Sequence, residues 1–289
     1  MSRSCSSASP EAVAAIRVSE SHRTAFLTGA SIGLGRAFAE MLLADGVHVW
    51  GTSRDAARLA DLTRGHPSGF TALALDLRDG RKAEEAYRAA DDAAGGFDLV
   101  INNAGFGVFA EFTGADFSIW QEQLDVMLVN PARISHAAIG GMLARDRGAL
   151  VNISSLAAEF PLPFQSAYNI AKAGLSALTE SLIIETANTG VVVIDFRPGD
   201  YRTNFDGSVR RPQTSPSPRM SRAWAAFETM MYSGPPPAHA AAALRRALLR
   251  QRSGTVRTGR FFQAVFAPFL ARFGSLALKR RIQARYFDV

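Results

Sequence analysis

The feature that most constrains the fold of this chain is a regular alternation of short apolar runs with longer segments of helical composition. Runs rich in Val, Ile, Leu and Phe predict buried strands at residues 24–29, 47–52, 70–75, 98–105, 149–155 and 191–199. Segments of helical length separate them, at residues 34–45, 55–64, 80–94, 116–143 and 166–188. This order predicts an α/β fold, a doubly wound parallel sheet with helices on both faces and right-handed crossovers.

The domain organisation follows from where the alternation begins and ends. With a further edge strand predicted at 253–259, it indicates a single domain over residues 22–259. Residues 1–21 are small, polar and interrupted by charge, which predicts a flexible tail rather than a signal peptide. Residues 204–234 include a Pro/Ser/Arg-rich stretch and are expected to form a lid, and residues 260–289 form a helical extension.

Composition excludes several classes of protein. Cys5 is the only cysteine, so no intramolecular disulfide can form, and this usage is typical of the reducing cytoplasm. The five histidines lack metal-ligand spacing, and we predict no metal site. No window of 18 uncharged apolar residues occurs, which argues against a membrane-spanning helix.

Charge is divided unevenly along the chain. Residues 1–195 carry 15 Lys/Arg against 22 Asp/Glu, a net −7, whereas residues 196–289 carry 17 against 4, a net +13. The basic part lacks the interleaved aromatic residues of a nucleic-acid binder, and we predict no nucleic-acid partner. In the extension, apolar residues from Phe262 to Leu276 recur at helical spacing beside a basic cluster, with Pro268 expected to bend or start the helix. This pattern fits packing against the core or another subunit, and it also fits contact with an anionic membrane surface.

One pair of residues suggests chemistry. Tyr168 and Lys172 are four residues apart in a predicted helix, so their side chains share one face. A cation beside a phenol favours the phenolate and would bring Tyr168 toward acid/base work near neutral pH. Taken alone, the same spacing also describes an ordinary surface pair.

A glycine-rich turn ends the first predicted strand. Its sequence is TGASIGLG, with Gly29, Gly33 and Gly35 at the strand-to-helix junction. Glycines allow close approach of a ligand to the backbone, and the N–H groups of a helix start attract phosphate, although such turns also serve tight packing alone. The position after the first strand favours dinucleotide binding.

Ligands of open parallel sheets lie at the carboxyl ends of the strands, where this sequence places a set of motifs. The motifs TGxxxGxG, NNAG at 102–105, Asn130 in the next helix, Ser155 thirteen residues before Tyr168, YxxxK and PG at 198–199 occur in that order. Over residues 22–205 the chain therefore resembles the short-chain dehydrogenase/reductase family. The resemblance implies a Rossmann-type fold and an oxidoreductase that interconverts a carbonyl and an alcohol.

The resemblance also assigns roles to residues. Tyr168 corresponds to the general acid/base, Lys172 to the residue that lowers its pKa and holds the nicotinamide ribose, and Asn130 to the proton-relay residue. Ser155 corresponds to the hydroxyl that binds the substrate oxygen. Strand alternation points Ser154 to the opposite face, which predicts a structural role for it. The implied cofactor-binding residues are Gly29, Ser31, Ile32, Gly33, Gly35, Ser53, Arg54, Asp76, Leu77, Asn103, Ala104, Gly105, Tyr168, Lys172, Pro198, Gly199 and Thr203.

Cofactor choice is predicted from charge at the end of the second strand. An acidic residue there would bond the ribose 2′-hydroxyl of NAD, but this chain has Ser53 followed by Arg54. We therefore expect NADP(H) to be preferred over NAD(H). Ile32 stands where many NADP-dependent relatives have a second basic residue, so the preference is expected to be modest.

The substrate is less constrained by sequence. Phe205, Trp224, Phe227, Met230 and Met231 in the lid favour a lipophilic carbonyl or alcohol, although such residues also fill ordinary helix cores. A homodimer or homotetramer is expected. Two alternatives to an active enzyme remain at this point: an NADP-binding sensor or scaffold without turnover, and a peripheral membrane protein that acts through its C-terminal helix.

Overall fold

The computed structural model describes residues 17–203, 209–212, 215–271 and 273–289. A seven-stranded parallel sheet forms its centre, in the order β3-β2-β1-β4-β6-β7-β9. The strands are β1 (Thr24–Leu27), β2 (His48–Ser53), β3 (Phe70–Ala74), β4 (Leu99–Asn102), β6 (Gly148–Ile153), β7 (Val191–Pro198) and β9 (Gly254–Thr258). All six predicted strands and the predicted last edge strand are confirmed. The chain reverses strand order between β1 and β4, which creates a crevice at their carboxyl ends.

Ten α-helices are described. They are α1 (Gly33–Ala44), α2 (Ala60–Gly65), α3 (Gly80–Ala94), α4 (Phe117–Leu124), α5 (Asn130–Ala144), α6 (Ser166–Glu185), α7 (Pro218–Tyr232), α8 (Pro237–Leu249), α9 (Ala267–Ala271) and α10 (Leu276–Tyr286). A two-residue pair outside the main sheet, β5 (Gly107–Val108) with β8 (Val209–Arg210), was not predicted. Strands of two residues are too short to show an alternating apolar pattern, so their pairing cannot be predicted from the sequence.

The core has two layers because successive residues of each buried strand face opposite sides of the sheet. In β4, Leu99 and Ile101 pack with α1 and α8, whereas Val100 packs with α3 and α5. Both faces of the strands are therefore apolar, as in a parallel sheet covered by helices on both sides. The predicted doubly wound fold is confirmed.

The segment predicted as one helix over 116–143 is interrupted. A π-helical turn, Asp125–Val129, lies between α4 and α5. Pro131 stands at the start of α5 and has no N–H to donate, so the regular hydrogen-bond register cannot continue through it. The break sets the position of Asn130 at the first residue of α5.

Parts of the predicted tail and lid are not described by the structure. Residues 1–16 of the predicted tail, and residues 204–208 and 213–214 of the predicted lid, lie outside the described residues. Val18 begins a short 3-10 helix and is 1% exposed, so the tail ends before residue 18 rather than at 21. Within the described chain, no helix combines the length and apolarity needed to cross a bilayer.

Candidate active site

A cavity of about 970 Å³ occupies the carboxyl ends of the strands. This volume is near the upper end of the roughly 300–1,000 Å³ typical of small-molecule sites. Every residue predicted to bind the cofactor lines it, and so does Ser155. Tertiary structure thus brings together residues from six separate strand ends, as the sheet topology predicts.

The turn between β1 and α1 forms one end of the cavity, here called the cofactor end, together with the residues that follow β2, β3 and β4. Gly29 has φ +71°, a conformation that favours glycine. A Cβ on Gly35 would lie 2.1 Å from the Gly29 carbonyl oxygen, so only glycine fits there. No side chain caps the start of α1, which leaves its first N–H groups facing the cavity. These groups fit a pyrophosphate at a helix N-terminus.

The loop after β4 is fixed against this turn by hydrogen bonds. The Thr28 hydroxyl accepts from the backbone N–H groups of Asn103 and Ala104 at 2.9 and 3.0 Å. The Asn103 side-chain amide donates to the Thr28 carbonyl at 2.9 Å. Because the polar side chain of Asn103 is used internally, it holds the shape of the turn, and the backbone of Ala104 and Gly105 is left to line the cavity.

Arginines surround the rim of the cofactor end near the end of β2. Arg54, Arg58 and Arg78 all line the cavity, and of these only Arg54 was predicted from the sequence. Arg78 donates from Nε to both carboxylate oxygens of Asp76, at 2.9 and 3.0 Å. These hydrogen bonds hold the pKa of Asp76 below its ordinary value. No acidic residue stands in place of Ser53, so the rim carries an excess of positive charge.

Three of the predicted catalytic residues, Ser155, Tyr168 and Lys172, line the cavity. The Ser155 hydroxyl contacts the Pro198 carbonyl at 3.4 Å, and its interaction with the Tyr168 phenol favours a lower pKa of that phenol. Ser155 also accepts from the backbone N–H of Ala157 at 3.0 Å, which orients its hydroxyl. The neighbouring Ser154 instead donates to the buried carboxylate of Asp195. The choice of Ser155 over Ser154, made from the thirteen-residue spacing between Ser155 and Tyr168, agrees with this geometry.

Burial dominates the electrostatics of Tyr168 and Lys172. Burial raises the pKa of Tyr168, the interaction with Ser155 opposes this rise, and the charge of Asp200 adds to it. The Lys172 ammonium lies 5.8 Å from the centre of the tyrosine ring and donates to the Ile153 carbonyl at 2.6 Å. Burial lowers the pKa of Lys172 to about 8. Burial is thus the first cause of the shift in each group, and the lowering of the phenol pKa by Lys172 stays a prediction.

Asn130 is the one predicted catalytic residue that does not line the cavity. Its side-chain amide donates to the Leu77 carbonyl at 2.6 Å, and it is 4% exposed. A Cβ on Gly80 would lie 1.9 Å from its Oδ1, so glycine at position 80 makes room for it. This contact holds Leu77, a cavity residue, in place. A role for Asn130 in proton relay stays a prediction.

The remaining part of the cavity wall, here called the substrate end, is largely apolar, although Lys279 and Gln283 also line it. It is lined by Phe160, Leu162, Phe227, Met231, Phe262, Phe273, Leu278, Ile282 and Phe287. Phe227 and Met231 were predicted from the lid, whereas Trp224 packs on Phe109 in a separate cluster. Phe205 lies outside the described residues. The contribution of the C-terminal extension was missed, because a pattern of helical spacing does not say which surface a helix covers.

Two polar side chains at the substrate end were also missed by the sequence reasoning. Asp200 lines the cavity and accepts a hydrogen bond from the Gln263 side-chain amide. Burial raises the pKa of the Asp200 carboxyl, an effect that Gln263 opposes. Gln165 is 1% exposed, and neither of its amide atoms has a partner in the part of the chain that is described. Among the described residues, no cluster of His, Cys, Asp or Glu could hold a metal ion.

Comparison with known proteins identifies the family. The family model for the short chain dehydrogenases matches residues 23–214. A probable NADP-dependent dehydrogenase of Haemophilus influenzae is 31% identical over 177 residues, which cover 61% of this chain and 70% of that protein. An uncharacterized oxidoreductase of Myxococcus xanthus is 37% identical over 199 residues, which cover 66% of this chain and 77% of that protein.

A solved structure agrees with this result. The short-chain dehydrogenase of Streptomyces avermitilis superposes with a TM-score of 0.81 at 29% identity, covering 91% of this chain and 98% of that one. The chain belongs to the short chain dehydrogenase family, and it is an oxidoreductase of that class. The predicted family and fold are confirmed.

Proposed function

We propose that this protein is an NADP(H)-dependent oxidoreductase that interconverts a carbonyl and a secondary or primary alcohol on a lipophilic small molecule. The observation that carries the proposal is that Ser155, Tyr168 and Lys172 line the same cavity as the glycine-rich turn. A nicotinamide dinucleotide, when bound, supplies or accepts the hydride. The roles of the protein are to hold the substrate oxygen, to move a proton and to exclude water.

In this proposal Tyr168 transfers the proton. In carbonyl reduction, negative charge develops on the substrate oxygen, where the Ser155 hydroxyl can stabilise it and the phenol can protonate it. Since burial raises the pKa of Tyr168, the phenol is protonated at neutral pH, which is the state that reduction needs. The hydroxyls of Ser155 and Tyr168 and the ammonium of Lys172 line the same cavity, which favours an enzyme over a cofactor sensor without turnover.

The preference for NADP(H) is supported by the rim of the cofactor end. Arg54, Arg58 and Arg78 can face a ribose 2′-phosphate, and one of the three is already paired with Asp76. The similarity to a probable NADP-dependent dehydrogenase points the same way. Ile32 is 37% exposed and carries no charge. In this proposal Arg58 and Arg78 supply the positive charge that a basic residue at position 32 would give.

The lipophilic substrate is supported by the apolar side chains of the substrate end. Burying apolar area contributes about 25 cal/mol per Å², so this surface favours an aliphatic or aromatic substrate over a sugar or a short polar alcohol. The proposal further includes a homodimer or homotetramer in the cytoplasm, as the single cysteine and the family resemblance suggest, and contact with a membrane surface through the C-terminal extension.

The test is a screen of ketones, aldehydes and alcohols of increasing chain length with NADPH, NADH, NADP+ and NAD+. We expect turnover with long-chain carbonyls and NADPH, measured as absorbance change of the nicotinamide, and no turnover by Tyr168→Phe in the same screen. Cofactor binding by calorimetry without turnover on any compound would support the sensor instead.

A further inference from the structure

The C-terminal extension carries an unusual share of the exposed apolar side chains. In the described chain, large hydrophobic residues with exposed side chains number 18, and ten of them lie after residue 260. We call these ten the C-terminal apolar surface: Phe261, Phe262, Val265, Phe266, Phe269, Phe273, Leu276, Leu278, Ile282 and Tyr286. Their exposed fractions run from 40% to 78%. Apolar groups gathered in this way mark an interaction surface rather than a random scatter.

The extension is anchored on the substrate end of the cavity. Gln263 donates to Asp200, and Gln283 donates to the Pro161 carbonyl at 3.0 Å. Phe273, Leu278 and Ile282 line the cavity and are also exposed to solvent. One set of side chains therefore forms both the substrate end of the cavity and the outer apolar surface. Part of the C-terminal apolar surface therefore borders the cavity.

The net positive charge of the C-terminal extension indicates which kind of partner its apolar surface can bind. Residues 260–289 carry six Lys/Arg and one Asp/Glu. Arg280, Arg281 and Arg285 are exposed on α10, and the single acid, Asp288, pairs with Arg222 at 3.4 Å. Apolar side chains beside unneutralised cations complement an anionic lipid surface, where each cation contributes about 1 kcal/mol of binding. A second copy would instead bring two like-charged segments together, which is unfavourable.

We infer that the C-terminal apolar surface docks on an anionic lipid bilayer and that the cavity receives its lipophilic substrate directly from that bilayer. The inference rests on the proposed function for its second half, the substrate route. Its first half, the docking, depends only on the surface. The phenyl rings enter the headgroup boundary, the arginines lie among anionic headgroups, and the cavity mouth faces the acyl chains.

Docking is tested by sedimentation of the full-length protein with vesicles of phosphatidylcholine alone or mixed with phosphatidylserine. We expect binding to the anionic vesicles only, weakened by added salt. Two double variants, Phe261→Ser with Phe269→Ser and Arg280→Gln with Arg281→Gln, should each lower vesicle affinity by about tenfold or more. None of these four side chains lines the cavity, so turnover of a short water-soluble ketone should be unchanged.

Matched controls are exposed residues of the same types outside the C-terminal extension. Phe117 on α4 is 64% exposed, and the Arg81 side chain on α3 is 84% exposed. Phe117→Ser and Arg81→Gln should leave vesicle affinity as in the wild type. Wild-type protein that stays in the supernatant with anionic vesicles would overturn the inference. So would a phenylalanine variant whose sedimentation equilibrium shows a smaller oligomer with vesicle binding intact, since the surface would then be a subunit interface.

The substrate route is tested with a long-chain ketone dissolved in the vesicles. Wild-type turnover should be several-fold faster on anionic than on neutral vesicles, and both double variants should lose this advantage. Equal rates on the two vesicle types by a protein that does bind them would contradict the route. Absence of turnover on every carbonyl, whether in solution or in vesicles, would contradict the proposed function. It would not affect the conclusion about docking.

Discussion

The cofactor end and the substrate end of the cavity are held together by different forces. At the cofactor end, polar groups are bonded to each other, in the interior at the buried Thr28, which accepts from Asn103, and at the exposed rim, where Asp76 accepts from Arg78. At the substrate end, apolar side chains from the last thirty residues face both the cavity and solvent, and few hydrogen bonds fix them. Buried polar networks tolerate little change, because an unpaired group costs about 1–3 kcal/mol, whereas apolar contacts can be exchanged at lower cost. Specificity for the substrate can thus change without disturbing the cofactor site.

Tyr168→Phe is expected to have the largest effect. The substitution keeps the ring and removes the proton that the phenol would deliver to the substrate oxygen, so kcat should fall by about 10²–10⁴-fold. NADPH affinity, measured by fluorescence titration, should stay within a few fold, since the loss is confined to chemistry. Activity above about a tenth of the wild type would remove Tyr168 from the mechanism.

Lys172→Met should lower both cofactor affinity and rate, by about 10²-fold in kcat/KM, because the ammonium is removed from the centre of the cavity. The pKa of Lys172 is lowered from 10.5 to about 8, so the lysine is protonated below pH 8 and neutral above it. NADPH affinity of the wild type should therefore fall as pH rises through about 8. The variant should show no such step in the same titration. A wild-type affinity that is flat from pH 7 to 9.5 would contradict a role for the ammonium in cofactor binding.

Arg54→Asp tests the cofactor end by charge reversal. An anion replaces a cation near the proposed 2′-phosphate, so the ratio of kcat/KM for NADPH to that for NADH should fall by about 10–100-fold. Arg81→Asp, on the exposed face of α3, is the control and should leave the ratio unchanged. If Arg54→Asp did not move the ratio, Arg58 and Arg78 would hold the phosphate by themselves.

Leu278→Ser with Ile282→Ser tests the substrate end. Each substitution removes apolar area from the cavity wall, and together they should raise KM for a long-chain ketone by about tenfold. NADPH affinity should not change, since neither residue lies at the cofactor end. A parallel loss of cofactor affinity would mean that the two ends of the cavity are coupled, and that the substrate end cannot change independently of the cofactor end.

Asp200→Asn should have the smallest effect, on pH dependence. The charge of Asp200 is one of the causes, after burial, that raise the pKa of Tyr168, so its removal should lower that pKa. Reduction needs the protonated phenol, and the variant should lose activity at a lower pH than the wild type, by less than about one pH unit. An unchanged pH–rate profile would show that Asp200 is neutral in the working enzyme.

The sequence by itself determined the fold and most of the cavity wall. Strand and helix periodicities are local properties, and a parallel sheet brings the ends of its strands to one edge, so the motifs after each strand had to meet there. The i, i+4 spacing was sufficient to place Tyr168 and Lys172 on one helix face, whereas the association of Ser155 with them came from the resemblance to the family motif.

Only the tertiary structure decided the electrostatics and the long-range contacts. The pKa of Tyr168 is raised and that of Lys172 is lowered because both are buried, and the degree of desolvation cannot be deduced from spacing. Arg58 and Arg78 join Arg54 at one rim although they leave different strands, and Asn130 turns toward Leu77 because a π-helical turn precedes it. The phenylalanines of the extension had a helical pattern that fits either a buried or an exposed face, and the surface against which a helix packs is set by contacts far away in sequence.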